Sequence, residues 1–236
     1  MNKYSKYIAE ILGTLLVVFI GAGAICAEHS VKMAGGQGVV PVWAITVFGV
    51  VIVAIVYATS YISGSHINPA VTISFWATGR MYAGTAAYYI MSQMIGAVMA
   101  ACFLKILFPD AVNTVYLGTC TLGEGVGPWK AIVIECIVTF LFVFTIYATA
   151  VDKRTSKILA GVAIGLVYLF GVSVSTTFSG GALNPARVFG PAVVSGHFDF
   201  HYVWWLGPVS GAIAAGFLYG KVFTRRSDEK KLSPVR

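Results

Sequence analysis

Charge is what this chain of 236 residues has least of. Asp, Glu, Lys and Arg together make up 11% of it, against roughly a quarter in an ordinary soluble domain. Too few charged side chains are left to solvate the surface of a water-soluble fold. Cysteine is scarce as well: Cys26, Cys102, Cys120 and Cys136 form no CxxC pair and no metal-ligand spacing. Cys102 and Cys136 fall inside apolar stretches, where they read as small apolar residues. No nucleophile–base pair and no metal-ligand cluster stands out, so an enzyme is not expected, nor a metal or other cofactor.

Long apolar runs take the place of charge, with 58% of the residues hydrophobic. They are Ile11–Ala27, Val42–Ile62, Tyr82–Leu107, Ala131–Val151, Ile158–Phe178 and Tyr202–Val222. Each approaches or exceeds the roughly 20 residues a helix needs to cross a bilayer core of about 30 Å. Six such runs predict an integral, multi-pass membrane protein with the lipid bilayer as its main partner. Lys and Arg collect on one side of these spans. Lys3, Lys6, Arg80, Lys153, Arg154 and Lys157 share it with the basic tail after Phe223, which places both termini in the cytoplasm. The net charge of +7 is thus mostly an orientation signal, and nothing else supports a nucleic-acid partner. The cell membrane is the expected location.

The chain repeats itself. Glu10-Ile-Leu-Gly-Thr14 is echoed by Glu135-Cys-Ile-Val-Thr139, so the first run is half of a repeat and not a cleaved leader. Ser63-Gly-Ser-His-Ile-Asn-Pro-Ala70 is echoed by Ser179-Gly-Gly-Ala-Leu-Asn-Pro-Ala186, and Gly96-Ala97-Val-Met-Ala100 by Gly211-Ala212-Ile-Ala-Ala215. Three spans per half is an odd number, so the second half (about 129–223) must enter the membrane from the side opposite to the first (about 7–108). An inverted repeat is a plan typical of transport proteins, with the pathway between the halves. Small residues at helical spacing, among them Gly13, Gly21, Gly161 and Gly165, allow the close approach that membrane helices need. The Gly- and Thr-rich stretch from Phe108 to Pro128 reads as a long outer loop. Residues 1–223 form one channel domain in this reading, and 224–236 a polar tail.

Asn is a good helix N-cap and Pro is favoured at the first helical position. A single Asn-Pro before an apolar stretch is therefore an ordinary helix start. Here the helices are short: Pro69 to about Thr78, and Pro185 to about Val194, each roughly 15 Å at 1.5 Å per residue. Irregular backbone at membrane depth survives only where protein buries it or a wet cavity hydrates it. Ser63–Ile67 and Ser179–Leu183 should then dip in from opposite faces, each leading into a half-helix. The capping residues Asn68 and Asn184 would meet at the centre.

Two Asn-Pro-Ala boxes (Asn68, Pro69, Ala70 and Asn184, Pro185, Ala186) stand with His66 before the first and Arg187 after the second. Together with the Glu-x-x-x-Thr repeat, they resemble the aquaporin (major intrinsic protein) family over nearly the whole chain. The resemblance implies six transmembrane helices plus two re-entrant half-helices in an all-α fold, assembled as a homotetramer. It implies pore-lining carbonyls at Gly64, Ser65, His66, Gly180, Gly181 and Ala182. A selectivity filter of Phe48, Val172, Gly181 and Arg187 follows in the same way. Glu10 and Glu135, ionisable at membrane depth, read either as proton-coupling groups or as acceptors for loop N–H groups. Their symmetric placement favours the second role.

Strict water channels of this family usually carry His where this chain has Val172, and glycerol facilitators usually carry Trp at the Phe48 position. The filter is similar to that of vacuolar-type and some archaeal members, wide enough for small neutral solutes such as glycerol, urea or ammonia. Val188, Ala192 and the pair Trp204-Trp205 match the water-channel side of the family. An interfacial belt is the other reading of the tryptophans. The expectation is a proton- and ion-excluding water channel with a relaxed filter, with a glycerol facilitator as the alternative.

Overall fold

The computed structural model describes residues 4–36 and 41–223, so the tail 224–236 lies outside the described residues. Among those described there are helices and turns and no β-strand element. The long helices are α1 (Ser5–Met33), α2 (Pro41–Ser63), α4 (Ala83–Leu107), α6 (Pro128–Ile146), α7 (Ala160–Ser179) and α9 (Val203–Leu218). The last turns of α6 and α9 widen into π-helical turns, Tyr147–Val151 and Tyr219–Phe223. Among the described residues, six helices are long and apolar enough to cross a membrane. Two short ones, α3 (Pro69–Ala77) and α8 (Pro185–Ser195), follow the Asn-Pro boxes. At about 1.5 Å per residue neither spans a bilayer core of about 30 Å.

The packing has the symmetry of the sequence repeat. In the first half α1 lies against α2 and α4; in the second α6 lies against α7 and α9. The half-helices cross over: α3 packs on α9 and α8 on α4, while α2 meets α7 between the halves. Each half is therefore completed by a piece of the other. Apolar periodicity cannot say this, because every long helix is greasy on all sides.

Close backbone approach explains the repeated small residues. A Cβ on Gly96 would lie 2.2 Å from the Ile11 carbonyl oxygen, and one on Gly211 would lie 2.1 Å from that of Cys136. Gly49 and Gly165 face each other across the α2–α7 crossing, where a Cβ on either would come within 3 Å of the other's carbonyl oxygen. Elsewhere the halves exchange volume. Gly13 makes room for Ile55 and Ile67 in the first, whereas Gly171 makes room for Leu183 and Val138 in the second.

Some boundaries differ from the apolar runs. Helix α1 continues past Ala27 to Met33, and Glu28 and Lys32 pair one turn apart at 2.7 Å on that polar extension. The stretch 108–128 contains a short helix, α5 (Ala111–Thr114), and a 3-10 turn at Tyr116–Gly118. On the opposite side, Asp152 accepts from the Arg154 side chain and from the Tyr219 hydroxyl at 2.7 Å. Arg154 also donates to the Phe223 carbonyl at 2.7 Å. The α6–α7 loop is thereby fastened to the end of α9.

Candidate functional site

Each half-helix starts with its asparagine as a true N-cap. Asn68 and Asn184 are extended, and each side-chain oxygen accepts from the N–H two residues on, of Ala70 at 2.8 Å and Ala186 at 3.0 Å. Their amide nitrogens reach across the repeat. Asn68 Nδ2 donates to the Leu183 carbonyl and Asn184 Nδ2 to the Ile67 carbonyl, both at 2.9 Å. The two half-helix N-termini are thus tied together. Each amide retains a second N–H for another acceptor.

The loops before the boxes adopt the same backbone. Gly64, Ser65 and Ile67 have φ of 84°, 51° and 44°, and Gly180, Gly181 and Leu183 have 75°, 67° and 52°. Left-handed backbone is easy for glycine but a real outlier for a β-branched residue such as Ile67. Two carboxylates hold it there. Glu10 accepts from the Ser63 hydroxyl (2.7 Å), the N–H groups of His66 (2.9 Å) and Ile67 (2.6 Å), and Gln93 Nε2 (2.7 Å). Glu135 accepts from the Ser179 hydroxyl (2.6 Å) and the N–H groups of Ala182 (2.9 Å) and Leu183 (2.8 Å). Both carboxylates are 0% exposed.

Phe48, Val172, Gly181 and Arg187 form two adjoining pairs. The Arg187 guanidinium lies 5.0 Å over the Phe48 ring, and Gly21 is the only size of residue that leaves that ring room, since a Cβ there would sit 2.0 Å from it. Arg187 Nη1 donates to the Gly118 carbonyl at 2.6 Å. The cation is 1% exposed, and its Nε has no partner among the described residues. Val172 and Gly181 adjoin, so closely that a Cβ on Gly181 would meet the Val172 side chain and carbonyl at 3.0 Å. Tyr168 bridges the pairs: its ring lies 6.4 Å from Phe48 and its hydroxyl donates to the Ala182 carbonyl at 3.0 Å.

A narrow cavity lies on the first loop's side, lined by Gly64, Ser65, His66 and Ile67 opposite an apolar wall that includes Ile52, Phe142 and Ile164. It adjoins a vestibule of about 580 Å³ that shares His66, Gly64 and Ser60 with it and carries Lys6 and Lys157.

A model of the family described as Major intrinsic protein matches residues 1–219. The chain belongs to that family. It is 36% identical over 230 residues to Aquaporin TIP2-1 of Arabidopsis thaliana, covering 96% of this chain and 90% of that one. It is 39% identical over 222 residues to Aquaporin NIP1-1 of Zea mays, covering 94% and 76%. Among solved structures, an aquaglyceroporin from Plasmodium falciparum superposes with a TM-score of 0.83 at 21% identity, covering 95% of this chain and 98% of that one; this likeness shows the fold. The six-span, two-half-helix architecture expected from the boxes is therefore the observed one, in an integral membrane channel.

Seen as a major intrinsic protein, the site includes residues, Gln93, Thr72 and Tyr89 among them, that no sequence motif marked. Gln93 links Glu10 to Thr72, donating to the threonine hydroxyl at 3.0 Å. Thr72 contacts the Asn68 carbonyl and His66 Nδ1, both at 3.1 Å. These contacts are all hydrogen bonds at once only with a proton on His66 Nδ1; in the neutral imidazole Nε2 is then an acceptor. The Tyr89 hydroxyl donates to the Ser63 carbonyl and Trp204 Nε1 to the Ser179 carbonyl, both at 2.9 Å, so different side chains do equivalent work in the two halves. Trp204 is buried and therefore no part of an interfacial belt. On the second loop, the Gly180 and Ala182 carbonyls already accept from Cys120 Sγ and Tyr168. Of these groups, a sequence signal existed for the two serines, which recur within the Ser-Gly-x-x-x-Asn-Pro-Ala motif, and for Trp204, but not for Gln93, Thr72 or Tyr89.

Proposed function

We propose that this protein is a passive water channel that excludes protons and ions and whose relaxed filter also admits small neutral solutes. The reciprocal tie between the half-helices, Asn68 to Leu183 and Asn184 to Ile67, carries the reading. Each half-helix N-terminus has a positive dipole end of about half an elementary charge, and here two such ends converge. The spare N–H of each asparagine makes a passing water an acceptor, which turns that water's own hydrogens away along the path. A proton then finds no continuous donor–acceptor chain there, and cations meet a positive potential. Dehydrating an ion beside apolar walls adds several kcal/mol.

Gly64, Ser65, His66, Gly180, Gly181 and Ala182 supply acceptors along the path in this reading. Phe48, Val172, Gly181 and Arg187 form its filter, with an aliphatic side chain and a glycine in place of polar bulk. Val188, buried in an apolar cluster with Ala182, Val203 and Trp204, matches the water-channel side of the family and supports water as the main permeant. Glu10 and Glu135 are occupied by loop donors, which favours passive flux over ion coupling. A glycerol facilitator is the second reading, supported by the small Val172–Gly181 pair.

Both termini face the cytoplasm and four copies assemble in the cell membrane, each with its own pore through a single channel domain of residues 1–223. Stopped-flow light scattering on proteoliposomes tests the permeant. Sucrose should drive shrinkage several-fold faster than in bare lipid vesicles, and glycerol or urea should re-enter more slowly than water leaves. Shrinkage at the lipid rate would refute the proposal, and solute flux exceeding water flux would favour the facilitator.

A further inference from the structure

The segment after α5 packs on both α1 and α8 as a strap. Tyr116 and Leu117 stand at φ of 50° and 53°, backbone that residues other than glycine keep only where their surroundings enforce it. Leu117 is buried in a cluster with Val18, Ala22 and Cys26 of α1. The Thr119 hydroxyl donates to the Val188 carbonyl at 3.0 Å. The Tyr116 ring lies face to face on the imidazole of His197, with centroids 3.8 Å apart and planes 8° from parallel. His197 follows Gly196, the C-cap of α8. Between these anchors the Gly118 carbonyl receives Arg187 Nη1. The strap is thus clamped at both ends of the half-helix that carries Arg187.

We infer that Tyr116 and His197 are a positioning pair for Arg187 and so help to set the size selectivity of the filter. The guanidinium has two visible restraints, the Phe48 face and the Gly118 carbonyl, while its Nε has no partner among the described residues. The Gly118 carbonyl ends a run of three left-handed residues, Tyr116, Leu117 and Gly118 itself at φ of 75°, and its direction follows from the backbone of all three. The stack holds the first of these, Tyr116, against His197, just past the C-cap of α8. Without the stack, the strap relaxes from its left-handed backbone, the carbonyl turns away, and Arg187 swings clear of the opening. Larger neutral solutes gain more from that than water does. The inference rests on the filter role proposed above for Arg187.

The test is the ratio of glycerol to water permeability in proteoliposomes of the full chain. His197→Ala should raise it by about two- to tenfold, the population shift that loss of one aromatic pair allows. Tyr116→Leu reads the same stack from the other side and should do likewise, which covers the case in which His197→Ala yields no folded protein. His197→Phe keeps a flat ring and should restore the wild-type ratio. General loosening of the fold would lower both permeabilities together and leave the ratio alone. An unmoved ratio in both ring-deleting variants, with wild-type vesicles conducting water, would overturn this inference by itself. So would a His197→Phe ratio as high as that of His197→Ala. Wild-type vesicles no faster than bare lipid would overturn the water-channel reading and this inference with it.

Discussion

At the scale of single residues, the site divides into groups that announce themselves and groups that do not. Asn68, Asn184 and the two glutamates stand out because polar residues are rare in such a chain and these recur in register, and Arg187 because it is a charge directly after the second box, where the first has Val71. Gln93, Tyr89 and the Gly118 carbonyl carry no such mark, since their partners lie far along the chain and only the fold brings them close. Two predictions belong here. Val172→His narrows the opening beside Gly181 and adds a polar ring, so glycerol flux should fall more than water flux; an equal fall would contradict the filter assignment. Glu10→Gln turns one acceptor oxygen into an N–H donor facing other donors. Leaving a buried N–H unpaired costs about 1–3 kcal/mol, which should appear as a lower unfolding temperature in detergent. Residual flux in that variant should remain passive and independent of ion gradients.

At the scale of elements, the six spans were legible from length and hydropathy, and the half-helices from Asn-Pro followed by too few residues to cross. Helix ends were less so. The polar turn at the end of α1 lacks apolar character yet continues the helix, and the strap at Tyr116–Gly118 owes its shape to contacts with α1 and α8 that no local pattern encodes. Gly96→Ala and Gly211→Ala should each destabilise by about 1–3 kcal/mol, since neither α1–α4 nor α6–α9 can accommodate a methyl without parting. Gly84→Ala, with nothing near the added carbon, is the control and should be neutral or slightly stabilising.

The Asp152 clasp gives a pH prediction. Hydrogen bonds from Arg154 and Tyr219 hold the Asp152 carboxyl well below the ordinary carboxylate range. Its contribution is therefore complete above about pH 4 and is lost only as pH falls through the depressed value. The stability difference between wild type and Asp152→Asn should be equal at about pH 5.5 and pH 8, narrowing only in stronger acid. A difference that changes between those two values would place the charge elsewhere.

At the scale of the molecule, what matters is that two halves of odd span number must face opposite ways. The packing bears this out pair by pair, down to α3 resting on α9 and α8 on α4. The sequence repeat revealed the inversion, but not that each half is completed by the other's half-helix. That exchange brings two positive helix ends together and gives the junction its asparagines. Whether the junction separates water from protons can be read in one preparation, proteoliposomes carrying a trapped pH dye, exposed first to an osmotic step and then to a proton gradient with a potassium ionophore. The account predicts rapid shrinkage together with a pH decay no faster than in protein-free vesicles. A proton leak that grows with the amount of protein reconstituted would contradict it.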